Sequence, residues 1–145
     1  NQVICVIVHA DFQEKEMKKV VLKNLGRGKK IFLISPVRMM TDTERPKIEA
    51  YVAQLEADGC RVHWPERDTP QDDPVGIDIC MFNLDAIASA NEVHFWYYKG
   101  SQGSIFDFGM VFALGKKLVL ANGGVIERTP HKSFENVILE YAQPV

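Results

Sequence analysis

Asp107 is a lone acid in an apolar run, Ile105-Phe106-Asp107-Phe108, directly after a small polar turn, Ser101-Gln102-Gly103-Ser104. A carboxylate at the mouth of a strand-to-helix turn could attack an anomeric carbon or stabilise an oxocarbenium ion. Backbone N–H groups at the helix start, with the Ser101 and Ser104 hydroxyls, could hold a phosphate or a sugar hydroxyl. Each feature also has a plainer reading. Asp107 falls in the expected first turn, three residues after a Ser104 cap, where an acid favours the helix dipole. The glycines need only reverse the chain. On the residues alone the plainer reading of Asp107 is the stronger.

Other chemistry-bearing residues follow apolar runs. Ser35 and Arg38 come after Lys30–Ile34, and Glu66, Arg67 and Asp68 come after Cys60–Trp64. By default Arg38 is a solvated charge and Asn83 a polar residue on a helix. The Trp96-Tyr97-Tyr98 cluster reads as core and rim, although one ring could stack a nucleobase. His9, His63, His94 and His131 lack metal-ligand spacing and read as structural, so no metal and no cofactor is expected. No GK[ST] follows the glycine turn, no GxGxxG opens a helix after a strand, and there is no G-x-S-x-G elbow.

These residues need a scaffold, and hydrophobic periodicity supplies one. Apolar runs at 3–8, 30–34, 60–64, 93–98 and 117–121 have strand length. Between them lie helical stripes: Met17, Val20, Val21 and Leu25; Ile48, Tyr51, Val52 and Leu55; Ile79 to Ala88; and Ile105, Phe108, Val111 and Phe112. Gly115 suits the left-handed position after a helix end. Pro65–Pro74 reads as a polar loop, and Thr129-Pro130 as the opening of a last helix buried through Phe134, Val137, Ile138 and Tyr141. Alternating strands and helices predict an α/β fold, a three-layer flavodoxin-like sandwich with a mainly parallel five-stranded sheet.

Composition narrows the function. With 145 residues, 46% of them hydrophobic, a single domain over 1–145 is expected. A net charge of −2 without a basic stripe argues against a nucleic acid polymer as partner. No apolar run approaches the ~20 residues of a membrane span, and the opening NQVICVIVHADF reads as a strand rather than a signal peptide. Three dispersed cysteines without CxxC fit a reducing, cytoplasmic setting and read as buried apolar residues.

The segment SQGSIFDFGMVFALGK, Ser101–Lys116, resembles the signature of the nucleoside 2-deoxyribosyltransferase family, including relatives that hydrolyse deoxynucleoside 5′-monophosphates. IFLISPVR (Ile31–Arg38) resembles the family's first strand and its sugar- or phosphate-binding turn. MFNLDAIASANE (Met81–Glu92) resembles the helix before the acid-bearing unit. The resemblance implies Asp107 as nucleophile, where the family has a glutamate; the arm here is shorter by one methylene, about 1.5 Å. It further implies a binding set of Phe32, Ser35, Arg38, Asn83, Trp96, Ser101, Gly103 and Ser104, with Asn83 where aspartate is usual. A nucleoside or nucleotide is the implied small-molecule partner, and a homo-oligomer the implied assembly. The rival expectation is a nucleotide-binding module that senses without cleaving, and the blandest a scaffold whose glycine turn is only a turn.

Overall fold

The computed structural model describes residues 27–142. In chain order the elements are β1 (Lys30–Ile34), α1 (Glu44–Ala57), β2 (Arg61–His63), α2 (Pro65–Asp68), α3 (Ile77–Ser89), β3 (Glu92–Phe95), α4 (Gln102–Ala113), β4 (Leu118–Leu120), a 3₁₀ turn (Gly123–Val125) and α5 (Phe134–Tyr141). The four strands pair in parallel in the order β2-β1-β3-β4. The expected fifth strand at 3–8, the helix over 14–25 and Cys5 lie outside the described residues.

Alternation along β1 and β3 sorts the core into two layers. Phe32, Ile34, Val93 and Phe95 pack with Ile87 of α3, Phe108 and Val111 of α4 and Ile138 of α5. Ile31 and Leu33 turn to the opposite face and meet Ile48 and Val52 of α1, with Val62 and Trp64. On that second face the early polar residues of β3 are paired, not solvated. Glu92 lies 3.2 Å from the Lys117 ammonium and 3.0 Å from His94 Nε2, and the Tyr51 hydroxyl lies 2.6 Å from His94 Nδ1. Glu92 is an anion that only accepts, so His94 donates from Nε2 and accepts the Tyr51 O–H at Nδ1.

Local chemistry places the site-bearing helices. Asp73 accepts the backbone N–H of Val75, Asp78 and Ile79 and so starts α3. At the other end of α3 the Lys116 ammonium reaches the carbonyls of Ala88 (2.7 Å) and Ala90 (2.9 Å). Gly115, at φ 62°, ends α4 in a left-handed turn: its N–H bonds Phe112 and the Lys116 N–H bonds Val111. The Gly-Lys pair thus closes one helix and caps its neighbour. Asn122 acts as a surrogate strand residue, its amide accepting the Tyr97 N–H at 2.6 Å and donating to the Tyr97 carbonyl at 2.8 Å. That fixes the chain leaving β3 for the glycine turn.

Several boundaries differ from the sequence reading. Ser101 caps α4 instead of Ser104, because its hydroxyl accepts the Ser104 N–H at 3.4 Å. The helix therefore begins earlier, and Asp107 moves to the second turn. The loop after β2 opens with α2, whose start accommodates Pro65. Ser133, not Thr129, caps α5. Phe112, Phe134, Val137, Met81 and Phe82, expected inside, are exposed, since each of their helices meets the sheet on one narrow stripe. Cys60 and Cys80 are free and only half-buried.

Candidate functional site

Asp107 is 9% exposed, on the face of α4 that turns toward α3. Its one hydrogen-bonding neighbour among the described residues is Asn83 of α3, whose Nδ2 lies 3.5 Å from Oδ1 and 3.4 Å from Oδ2. These are long contacts to a neutral donor. Burial pushes the Asp107 carboxyl up to about 7, and the Asn83 N–H pulls weakly the other way. The helix-dipole reading loses force here, since that effect fades beyond the first turn. Along the same face of α4, Ser104 sits one turn earlier and is 3% exposed, with its hydroxyl 2.8 Å from that of Ser101.

Asn83 is itself held. Thr69, the residue after α2, donates its hydroxyl to Asn83 Oδ1 at 2.8 Å. His63, the last residue of β2, lies with Nε2 2.8 Å from the same hydroxyl oxygen. The His63 ring stacks on Phe32 (centroids 5.4 Å apart, planes at 9°) and meets Phe82 at 5.7 Å. Burial lowers the His63 pKa, with the nearby Asp68 charge opposing and Arg67 assisting. Four polar side chains from β2, the α2 end, α3 and α4 thus form a continuous line ending at the acid. Burial raises the Cys80 thiol, one turn before Asn83, and the Asp107 charge adds to it.

The expected site residues divide. Asn83 and Asp107 meet across α3 and α4, while Ser101 caps α4 and pairs with Ser104 one turn before the acid. Gly103 is at the start of α4, where an added Cβ would meet nothing within 4 Å. Phe32 is fully buried beneath His63. Ser35 is buried beyond β1 and accepts the Trp64 indole N–H at 3.0 Å. Arg38 is exposed on the turn that follows. Trp96 packs on the opposite face of the sheet, 5.8 Å from Tyr51, and donates its indole N–H to Glu44 at 3.0 Å. It therefore does not neighbour Asp107. His63 and Thr69 are the residues that sequence reasoning missed. The half-buried His63 at the end of β2 is the available signal, whereas Thr69 lies within the polar loop expected over Pro65–Pro74.

Of two surface hollows, one lies beside Gly115–Leu118 and Tyr141 and the other beside Lys30, Arg61, His63, Asp68 and Ala90; Asp107 lines neither. Among the described residues no cluster of His, Cys, Asp and Glu could hold a metal ion, and no helix is long and apolar enough to cross a membrane.

Fold and site together define an α/β protein with a parallel sheet and a buried carboxyl beyond the strand β3. Among solved structures the chain is similar to a CMP N-glycosidase, BcmB, of Clostridium botulinum, at 19% identity and a TM-score of 0.56, over 81% of this chain and 86% of that one. At that identity the likeness is one of fold. No family model and no curated protein matches the chain.

Proposed function

We propose that this protein acts on the N-glycosidic bond of a nucleoside or nucleotide, with Asp107 as the nucleophile. The observation that carries the reading is a single carboxyl, nearly sealed from water and poised near neutrality, that meets one neutral donor. A carboxyl of this kind is costly to maintain for structure alone, and perturbed acids of this sort concentrate at functional sites. The fold shared with an N-glycosidase and the resemblance of Ser101–Lys116 support the same class.

In the reaction, an ionised Asp107 oxygen forms a bond to C1′ as the C1′–N bond breaks, and the bonding pair leaves with the base. The base nitrogen takes its proton from water, since the Asn83 amide is not an acid. Water then adds at C1′, the ester bond to Asp107 breaks, and one proton is released. Two inversions give net retention. The Ser101 and Ser104 hydroxyls would bind the sugar or its 5′ substituent, and Arg38 would meet a 5′-phosphate from the turn after β1. The protein would work as a single domain over residues 1–145, in the cytoplasm, as a homo-oligomer, without a metal or cofactor.

Asn83 supports a second reading, a module that binds nucleotides without turnover, because a neutral amide stands where an acid would assist the leaving base. One experiment separates the two. Base release is followed from nucleosides, deoxynucleosides and their 5′-monophosphates, for wild type and Asp107→Asn. Release by wild type alone supports the enzyme; thermal stabilisation by a nucleotide with no product supports the sensor.

A further inference from the structure

The line of side chains ending at Asp107 has a direction. Asn83 presents Nδ2 to the acid, so Oδ1 must face Thr69 and accept its hydroxyl proton. Thr69 Oγ1 then has only lone pairs for His63, so the histidine donates from Nε2. One reversed arrangement keeps every link of the line bonded. His63 carries its proton on Nδ1, Thr69 donates to Nε2, the Asn83 amide turns over and donates to Thr69, and its carbonyl faces Asp107. A carbonyl against a carboxylate is repulsive, whereas a carbonyl against a carboxylic acid accepts its proton. The reversed order therefore suits only protonated Asp107.

We propose that Thr69 and His63 are positioning residues for Asp107, coupling the tautomer of His63 to the proton on the acid through the amide of Asn83. Loss of that proton turns Asn83 donor-first toward the carboxylate, ready to steady it as a nucleophile. Gain of the proton turns the whole line round. The surroundings allow the coupling to be seen. His63 faces Phe32 from β1, Phe82 from α3, and Arg67 and Asp68 from α2, while Asp107 faces Cys80 and Asn83 from α3. Burial keeps His63 neutral below its ordinary range while Asp107 titrates near 7, so the tautomer can change before the ring charges.

The inference rests on Asp107 being the reactive carboxyl only for its catalytic meaning; its test needs no substrate. The full chain, labelled with ¹⁵N in histidine and ¹³C in aspartate carboxyls, is titrated from pH 8 to pH 6 by NMR. The expected result is Nε2–H dominance at pH 8 that gives way to Nδ1–H with the same midpoint as the Asp107 carboxyl. Thr69→Val removes that shift and Thr69→Ser, which keeps the hydroxyl, restores it. A constant His63 tautomer in folded wild type, or an unchanged shift in Thr69→Val, overturns the proposal. If base release is also absent while the tautomer shift is present, the functional reading fails and the relay stands.

Discussion

The Asn83 amide nitrogen straddles the Asp107 carboxyl, 3.4 Å from one oxygen and 3.5 Å from the other. One neutral donor is thus set against the burial of a whole charge, and burial wins: the carboxyl is pushed up to about 7, well above the ordinary carboxylate range.

Stability should therefore fall as Asp107 ionises. The folded state holds this proton more tightly than the unfolded chain, so the contribution is complete below about pH 4 and is lost as pH rises through about 7. At about 1.4 kcal/mol per pH unit the cost reaches roughly 2–4 kcal/mol. Asp107→Asn carries no such cost. Urea unfolding at pH 4 and pH 8 should show the variant near wild type at the lower pH and clearly more stable at the higher. An equal difference at both values would count against a buried ionisable acid.

Removing the straddling donor should push Asp107 further the same way. Asn83→Ala deletes the one contact that lowers its pKa, and a long hydrogen bond to a charge is worth on the order of 1 kcal/mol. The carboxyl midpoint, and the acid limb of base release with it, should move up by roughly half to one pH unit. An unmoved midpoint would show that the contact is too long to matter.

Lys116 ties the start of β4 to the end of α3 through the Ala88 and Ala90 carbonyls. Lys116→Met keeps much of the aliphatic stem and removes both bonds. A loss of about 1–2 kcal/mol is expected, with faster amide exchange confined to the last turn of α3. Uniformly faster exchange would place the effect elsewhere.

Glu92 titrates in the opposite sense to Asp107. Burial raises its pKa, but the His94 bond and the Lys117 and Lys29 ammonium groups outweigh burial and bring it down to about 2. Its stabilisation is present above the ordinary glutamate pKa of 4.5 and is lost as pH falls toward 2. Glu92→Gln should cost roughly 1–3 kcal/mol at pH 7, after discounting for the solvent-reached lysines, and much less at pH 2. A difference that does not narrow with acid would mean the charge is not the cause.

Much of this was legible in the sequence. Strand runs at 30–34, 60–64, 93–98 and 117–121 fall within a few residues of β1 to β4, because a buried parallel strand is a short unbroken apolar run. Gly115 was legible because a left-handed helix end favours glycine. Asp107 stood out by type, but its burial did not, since that depends on where α4 starts. Ser101 and Ser104 are both plausible caps locally, and the Ser104 N–H that bonds the Ser101 hydroxyl decides between them. Trp96 parts from Asp107 because one step beyond Phe95, at the end of β3, reverses the face. Thr69 and His63 join the site only through the fold, across a distance that no local pattern encodes.

The strand order has a consequence for how the molecule comes together. Asn83 and Asp107 both belong to the unbroken stretch α3-β3-α4-β4, whose contacts are short in sequence. β1, by contrast, pairs with β3 across about sixty residues, and through β1 the sheet gains β2 and His63. Loop closure of that length is slow, so β1 should join the sheet after β3 and β4 have paired, and β2 should pair with it only then. Pulsed hydrogen exchange during refolding should show β3 and β4 protected before β1 and β2.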